Sequence, residues 1–76
     1  MDKEISEIII GVREREIGIE VCKNILLYEV NIPTFLKDKV TEELIDILES
    51  VQCYLLEISV ASQLIREILE KYEELH

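Results

Sequence analysis

The fold is decided by residues 40–75, which read VTEELIDILESVQCYLLEISVASQLIREILEKYEEL. Apolar residues recur in this stretch at alternating spacings of four and three. The members of the series are Val40, Leu44, Ile47, Val51, Tyr54, Ile58, Ala61, Ile65, Ile68, Tyr72 and Leu75. This spacing is typical of a helix that buries one side, and a strand or loop has no reason to produce it.

The same stretch contains neither Gly nor Pro, so one helix over residues 39–74, about 54 Å long, is permitted. Further leucines widen its apolar stripe beyond what one partner helix covers. These residues are the predicted interface with a second chain: Leu48, Leu55, Leu56, Leu64 and Leu69. A break near Ser50, Ser59 or Ser62 stays open, and it would turn the long helix into two helices of a three-helix bundle.

The N-terminal half fits two templates. Apolar residues at helical spacing favour a helix over residues 3–30, and they are Ile5, Ile8, Val12, Ile19, Cys22 and Leu26. Residues 8–12 and 17–21 are also rich in β-branched side chains, as the strands of a β-hairpin would be. Residues 13–16 lack the Gly, Asn, Asp or Pro of tight hairpin turns, which favours the helix.

Pro33 marks the point where the chain turns between the two halves, because proline disfavours helix at the residue before it. We therefore predict an all-α protein, a single helical domain over residues 1–76. Its form would be a long antiparallel helical hairpin, with helices at 3–30 and 39–74, that pairs with a second copy into a four-helix-bundle dimer. The alternatives are a three-helix bundle, or an α+β fold with an N-terminal β-hairpin.

The charge of the chain excludes some partners. Eight Lys and Arg stand against 17 Asp and Glu, for a net charge of −9. Nucleic acid and anionic membrane surfaces need clustered basic side chains, so we expect neither as a partner. The acidic N-terminus does not resemble a secretory signal, and no stretch approaches the roughly 20 apolar residues of a membrane span. We expect a cytoplasmic protein.

Catalytic chemistry is not indicated. The only His is His76, and Cys22 and Cys53 have no neighbour at a metal-ligand spacing. Two acidic groups have cation-site spacing, and they are Glu42, Glu43, Asp46 and Glu49, then Glu67, Glu70, Glu73 and Glu74. A solvated face explains them better, because a Ca²⁺ site also needs loop carbonyls. We therefore expect no enzyme activity, no cofactor and no metal.

Three charged residues interrupt the apolar tracts. A hairpin turn centred near residue 35 places Arg13 opposite Glu57, with Arg15 one helical turn away. We hypothesise that Glu57 pairs with Arg13 or Arg15 and fixes the register of the helices. The alternative is that all three side chains point to solvent.

The remaining inference is a non-enzymatic protein–protein interaction module, such as an adaptor, small chaperone or regulatory subunit. It would form a homodimer or higher oligomer through its apolar helix face, with another protein as a further partner. Two alternatives follow from the acidic surface. One is a regulator that sequesters a basic protein, as an antitoxin-like protein or decoy does, and the other is a carboxylate-based metal- or metabolite-binding bundle.

Overall fold

A computed structural model describes residues 2–73 of the protein, with side chains from residue 5 onward. Four α-helices and a short 3₁₀ turn account for most of this part. The helices are α1 (Asp2–Arg13), α2 (Ile19–Leu27), α3 (Lys37–Gln52) and α4 (Ile58–Tyr72), and the 3₁₀ turn is Thr34–Leu36. The predicted all-α class is confirmed. The alternative with an N-terminal β-hairpin is not supported, because residues 8–12 lie within α1 and no strand occurs in residues 2–73.

Each of the two long predicted helices is broken. The breaks lie at residues 14–18 and 53–57, and the longest dimension of the fold is 35 Å, too short for a helix of about 54 Å. The second break falls between Ser50 and Ser59, and Ser62 lies within α4 instead. Folding back twice buries most of the apolar stripe within one chain, which the continuous stripe in the sequence does not reveal.

The two breaks have the same backbone geometry. After α1, Arg15 has a φ of 63°, and after α3, Tyr54 has a φ of 62°. The Arg15 and Glu16 amides donate to the Val12 and Gly11 carbonyls. The Tyr54 and Leu55 amides donate in the same way to the Val51 and Ser50 carbonyls. These paired bonds are the Schellman motif, which satisfies carbonyls that a helix end leaves without partners.

The whole pattern repeats with an offset of 39 residues. The residue before α2, Gly18, has φ −72° and ψ 155°, and its counterpart before α4, Glu57, has φ −71° and ψ 151°. Identical residues occupy equivalent positions in the two halves, and they include the pairs Ile8 and Ile47, Val12 and Val51, Ile19 and Ile58, Val21 and Val60. The chain is therefore built from two similar helix–turn–helix units, a first half (α1 and α2) and a second half (α3 and α4).

Packing joins the halves through their first helices. Helices α1 and α3 contact each other, while α1 also packs on α4 and α3 on α2. Exchanging the halves maps the α1–α4 contact onto the α3–α2 contact, which is the pattern of an approximate twofold axis. Equivalent residues fill the core from both sides, as the buried pairs Ile9 and Leu48, Val12 and Val51, Cys22 and Ala61, Leu26 and Ile65 show.

Side-chain hydrogen bonds also tie helices together. The Ser62 hydroxyl donates to the Ile58 carbonyl at 2.8 Å and accepts from the Ser6 hydroxyl at 2.9 Å, which ties α4 to α1. The Tyr72 hydroxyl donates to a Glu43 carboxylate oxygen at 3.1 Å, which ties α4 to α3. Within the described residues, no helix combines the length and the apolar character needed to cross a membrane.

Candidate protein-binding surfaces

The five leucines of the predicted interface occupy three different environments. Leu48 is 0% exposed and belongs to the core of the single chain, so in this fold it is not available to a second one. Leu56 and Leu69 are half-buried and pack against that core. Leu55 and Leu64 are 79% and 37% exposed. Folding back at residues 53–57 hides Leu48, which the long-helix prediction had left on the surface.

The second half carries a surface that we call the α4 surface, defined by Tyr54, Leu55, Val60 and Leu64. All four side chains are exposed. Val60 and Leu64 lie one turn apart on the same side of α4, and Tyr54 and Leu55 form the turn that leads into that helix. From Ser50 to Ile65 the only charged residue is Glu57. The α4 surface is therefore apolar, and the segment of chain that carries it holds one charged residue.

A second feature is a groove of about 920 Å³ between α1, α2 and the C-terminal part of α4. We call it the α2 groove. Its apolar lining comes from all three helices and from the segment after α2, and consists of Ile5, Ile8, Val21, Ile25, Leu26, Tyr28, Val30 and Leu69. The lining residues Val21, Ile25 and Tyr28 are exposed. Their spacing of four and then three residues places them along one side of the α2 segment.

Acidic side chains surround this apolar groove. Glu7, Glu29, Glu70 and Glu73 line it and are all exposed. Among the lining residues that the structure describes, Arg66 is the only cation, and its guanidinium is engaged with the Gln63 side chain. The groove therefore combines an apolar floor with a rim of negative charge.

Arg13 connects the two turns. Its guanidinium donates to the carbonyls of Val51 and Leu56, and it lies 4.9 Å from the centre of the Tyr54 ring. The hypothesis for Arg13, Arg15 and Glu57 placed Arg13 opposite Glu57. In the structure the Arg13 guanidinium contacts the carbonyl of Leu56, the residue before Glu57. Within the described residues no ion pair joins Glu57 to Arg13 or Arg15, and both Glu57 and Arg15 are exposed. Arg13 thus binds one backbone carbonyl at the end of α3 and one in the turn that follows it.

The two cysteines are free thiols in different environments. Cys53 is exposed at the end of α3, whereas Cys22 is fully buried in α2. Burial raises the pKa of Cys22 from 9.0 to about 11, because the apolar surroundings disfavour the thiolate. Cys22 is therefore a protonated core side chain at neutral pH and a poor nucleophile.

The acidic groups at residues 42–49 and 67–73 do not form a cation cage. In the part of the chain that the structure describes, no three His, Cys, Asp or Glu side chains come together as a metal-binding group. Glu74 of the second acidic group lies outside the described residues, as does His76.

Sequence reasoning missed the α2 groove, the exposure of Val60 and the role of Arg13. The available signal was the repeat at an offset of 39 residues, in which Val21 matches Val60 and Ile25 matches Leu64. A residue pair that is apolar and exposed in both halves marks the outer face of α2 and α4.

Comparisons of the chain with protein-family models, curated proteins and solved structures give no match.

Proposed function

We propose that this protein is a non-enzymatic protein–protein interaction module that forms a homodimer through the α4 surface. The observation that carries the proposal is the exposed apolar set Tyr54, Leu55, Val60 and Leu64 on one half of the chain. Covering a fully exposed side chain of this size contributes roughly 1.5 to 3 kcal/mol. Val60 and Leu64 are only 44% and 37% exposed and contribute less, so Tyr54 and Leu55 supply the larger share of the energy that holds the dimer.

Charge selects a second copy as the occupant of the α4 surface. Each chain carries a net charge of −9, so two copies repel each other wherever carboxylates meet. Residues 50–65 carry one charge, that of Glu57, and this is where two chains approach at the lowest electrostatic cost. The α2 groove, with its four glutamates, is the less favourable side for a second copy.

The non-enzymatic character rests on residue chemistry. The chain has one His, and the thiol of Cys22 is buried with a raised pKa, so neither a histidine-based triad nor a Cys22 nucleophile is favoured. A cytoplasmic location belongs to the same proposal, since a reducing compartment keeps the exposed Cys53 from forming disulfides between chains.

Sedimentation velocity over about 10 to 100 µM protein tests the dimer. We expect a dimer at the upper end of this range, and we expect Leu64→Asp and Leu55→Asp to shift it to the 8.9 kDa monomer. Dimerisation should persist at about 1 M NaCl, because salt screens the repulsion and leaves apolar contact intact.

The matched control is Ile25→Asp, since Ile25 is the counterpart of Leu64 in the first half and is also exposed. It adds the same charge to the other side of the molecule and should leave the dimer unchanged. A wild-type monomer at about 100 µM would contradict the proposal, and so would equal dissociation by Ile25→Asp and Leu64→Asp.

A further inference from the structure

The size and the lining of the α2 groove suit a large apolar ligand. At about 920 Å³ it is near the upper end of the roughly 300–1,000 Å³ range of ligand-binding pockets. Its exposed residues Val21, Ile25 and Tyr28 follow one another along the α2 segment. The same i, i+4, i+7 spacing recurs in grooves and ridges where one amphipathic helix packs against another.

The acidic rim of the groove favours a positively charged ligand. Glu7 comes from α1, Glu29 from the segment after α2, and Glu70 from α4, so negative charge borders the apolar floor from three elements. Glu73 extends this border past the end of α4. An acidic ligand, including a fatty acid, a nucleic acid or a second copy of this chain, meets repulsion here.

We propose that the α2 groove binds an amphipathic helix of another protein, whose apolar stripe fills the groove and whose flanking Lys or Arg side chains face the four glutamates. The apolar contacts supply most of the affinity, and the acidic rim selects basic helices over acidic ones and speeds their association. The proposal goes beyond self-association, because none of the four residues of the α4 surface lines the groove.

Three synthetic helical peptides of about 18 residues test this occupant, a length at which an isolated helix is stable enough to form. One has leucines at i, i+4, i+7 and i+11 with lysine flanks, the second has the same leucines with glutamate flanks, and the third is a scrambled lysine peptide. We expect saturable binding of the first by calorimetry. The other two should bind at least about tenfold more weakly at about 50 mM salt, and the advantage over the glutamate peptide should shrink at about 500 mM.

Protein variants locate the binding site. Ile25→Asp should weaken the lysine peptide at least about tenfold, because it places a charge in the apolar floor. Glu70→Lys with Glu73→Lys should shift the preference towards the glutamate peptide. Leu64→Asp, the counterpart of Ile25, should leave peptide affinity within about twofold even where it breaks the dimer. Circular dichroism confirms that each variant is folded.

The peptide-binding results test the groove proposal independently of dimer formation. Absence of saturable binding of the lysine peptide at about 1 mM would overturn it. Equal affinity for lysine and glutamate peptides would show a groove without charge selection, and equal affinity for the scrambled peptide would show charge attraction without the groove. Both results contradict the proposal, and neither bears on whether the α4 surface forms a dimer.

Discussion

The turn after α1 and the turn after α3 share their backbone and differ in their side chains. Residues 13–16 read RERE and residues 52–55 read QCYL, yet Arg15 and Tyr54 adopt the same left-handed conformation. The buried pairs beneath the turns, such as Val12 and Val51, are equally alike. Core packing and helix-end hydrogen bonds therefore set the backbone, and the exposed positions are free to become charged in one half and apolar in the other.

Core substitutions should have the largest effect on stability, and they test whether the two halves are equivalent. Ile9 and Leu48 occupy the same position in the two halves, and both are completely buried. Truncation of either to Ala should cost about 2 to 5 kcal/mol, because it removes apolar contacts and leaves a cavity. A chain of this size has only about 3 to 5 kcal/mol of net stability, so both variants should be largely unfolded in urea titrations followed by circular dichroism.

The control for these variants is Leu55→Ala, which removes a similar side chain from an exposed turn and should change stability in the monomer by less than about 0.5 kcal/mol. A Leu48→Ala protein as stable as Leu55→Ala would place Leu48 at the surface, as the long-helix prediction did. A large effect for Ile9→Ala with none for Leu48→Ala would break the equivalence of the two halves.

The all-α class and most of the core were predictable from the sequence. The helical spacing of Leu44, Val51 and Ile65 indicates burial whether the helix is continuous or broken, because both arrangements bury most of the same stripe, with Tyr54 exposed in the turn. The break at residues 53–57 was not predictable from turn residues. Its left-handed position holds Tyr54, and that of the other turn holds Arg15, where glycine is the usual residue.

The candidate surfaces were only partly accessible to sequence reasoning. The sequence predicts Leu55 and Leu64 as interface residues, because heptad counting identifies the apolar side chains that a single partner helix does not cover. The α2 groove depends on how α1, α2 and α4 meet, which periodicity within one helix does not specify. One acceptor that Arg13 contacts is the Leu56 backbone carbonyl, and a search for side-chain charge pairs does not identify backbone acceptors.

Arg13 provides the next test, because it is the residue that joins the two turns. Arg13→Met keeps the aliphatic stem and removes the bonds to the Val51 and Leu56 carbonyls as well as the contact with the Tyr54 ring. Hydrogen bonds from a charged donor justify an expected loss of about 1.5 kcal/mol in the free energy of unfolding. The exposed Arg15→Met is the control, and equal effects for the two variants would show that Arg13 does not join the turns.

Cys22 and its counterpart Ala61 predict a difference in pH dependence. The folded chain keeps the Cys22 thiol protonated up to about pH 11, whereas the unfolded chain releases this proton near pH 9. Stability should therefore fall as pH rises from 9 to 11, by about 1 kcal/mol at pH 10 relative to pH 8. Cys22→Ala, which copies the second half, should remove this loss. Parallel stability profiles for the two proteins would contradict a buried thiol at residue 22.

The left-handed residues offer a gain in stability. Arg15→Gly should raise the free energy of unfolding by up to about 1 kcal/mol, because glycine adopts a φ of 63° without steric cost. Tyr54→Gly should gain less, since it also removes the ring that contacts Arg13. Arg15→Val should destabilise the protein, because β-branched residues disfavour this conformation. A stabilising Arg15→Val, measured in urea, would exclude the left-handed turn.

The smallest expected effects come from the residues that begin α2 and α4. Gly18 and Glu57 have the same extended backbone, neither helix has a side-chain cap, and a Cβ atom at Gly18 would meet nothing within 4 Å. Gly18→Ser should stabilise the protein by about 0.5 kcal/mol, through a cap hydrogen bond and a less flexible unfolded chain. Glu57→Ser adds the same cap but loses a carboxylate near a helix N-terminus, so its gain should be smaller. Thermal melts of both variants separate the contribution of the cap hydrogen bond from that of the less flexible unfolded chain. A greater gain in stability at residue 57 than at residue 18 would mean that replacing Gly18 does not stabilise the protein through the unfolded chain.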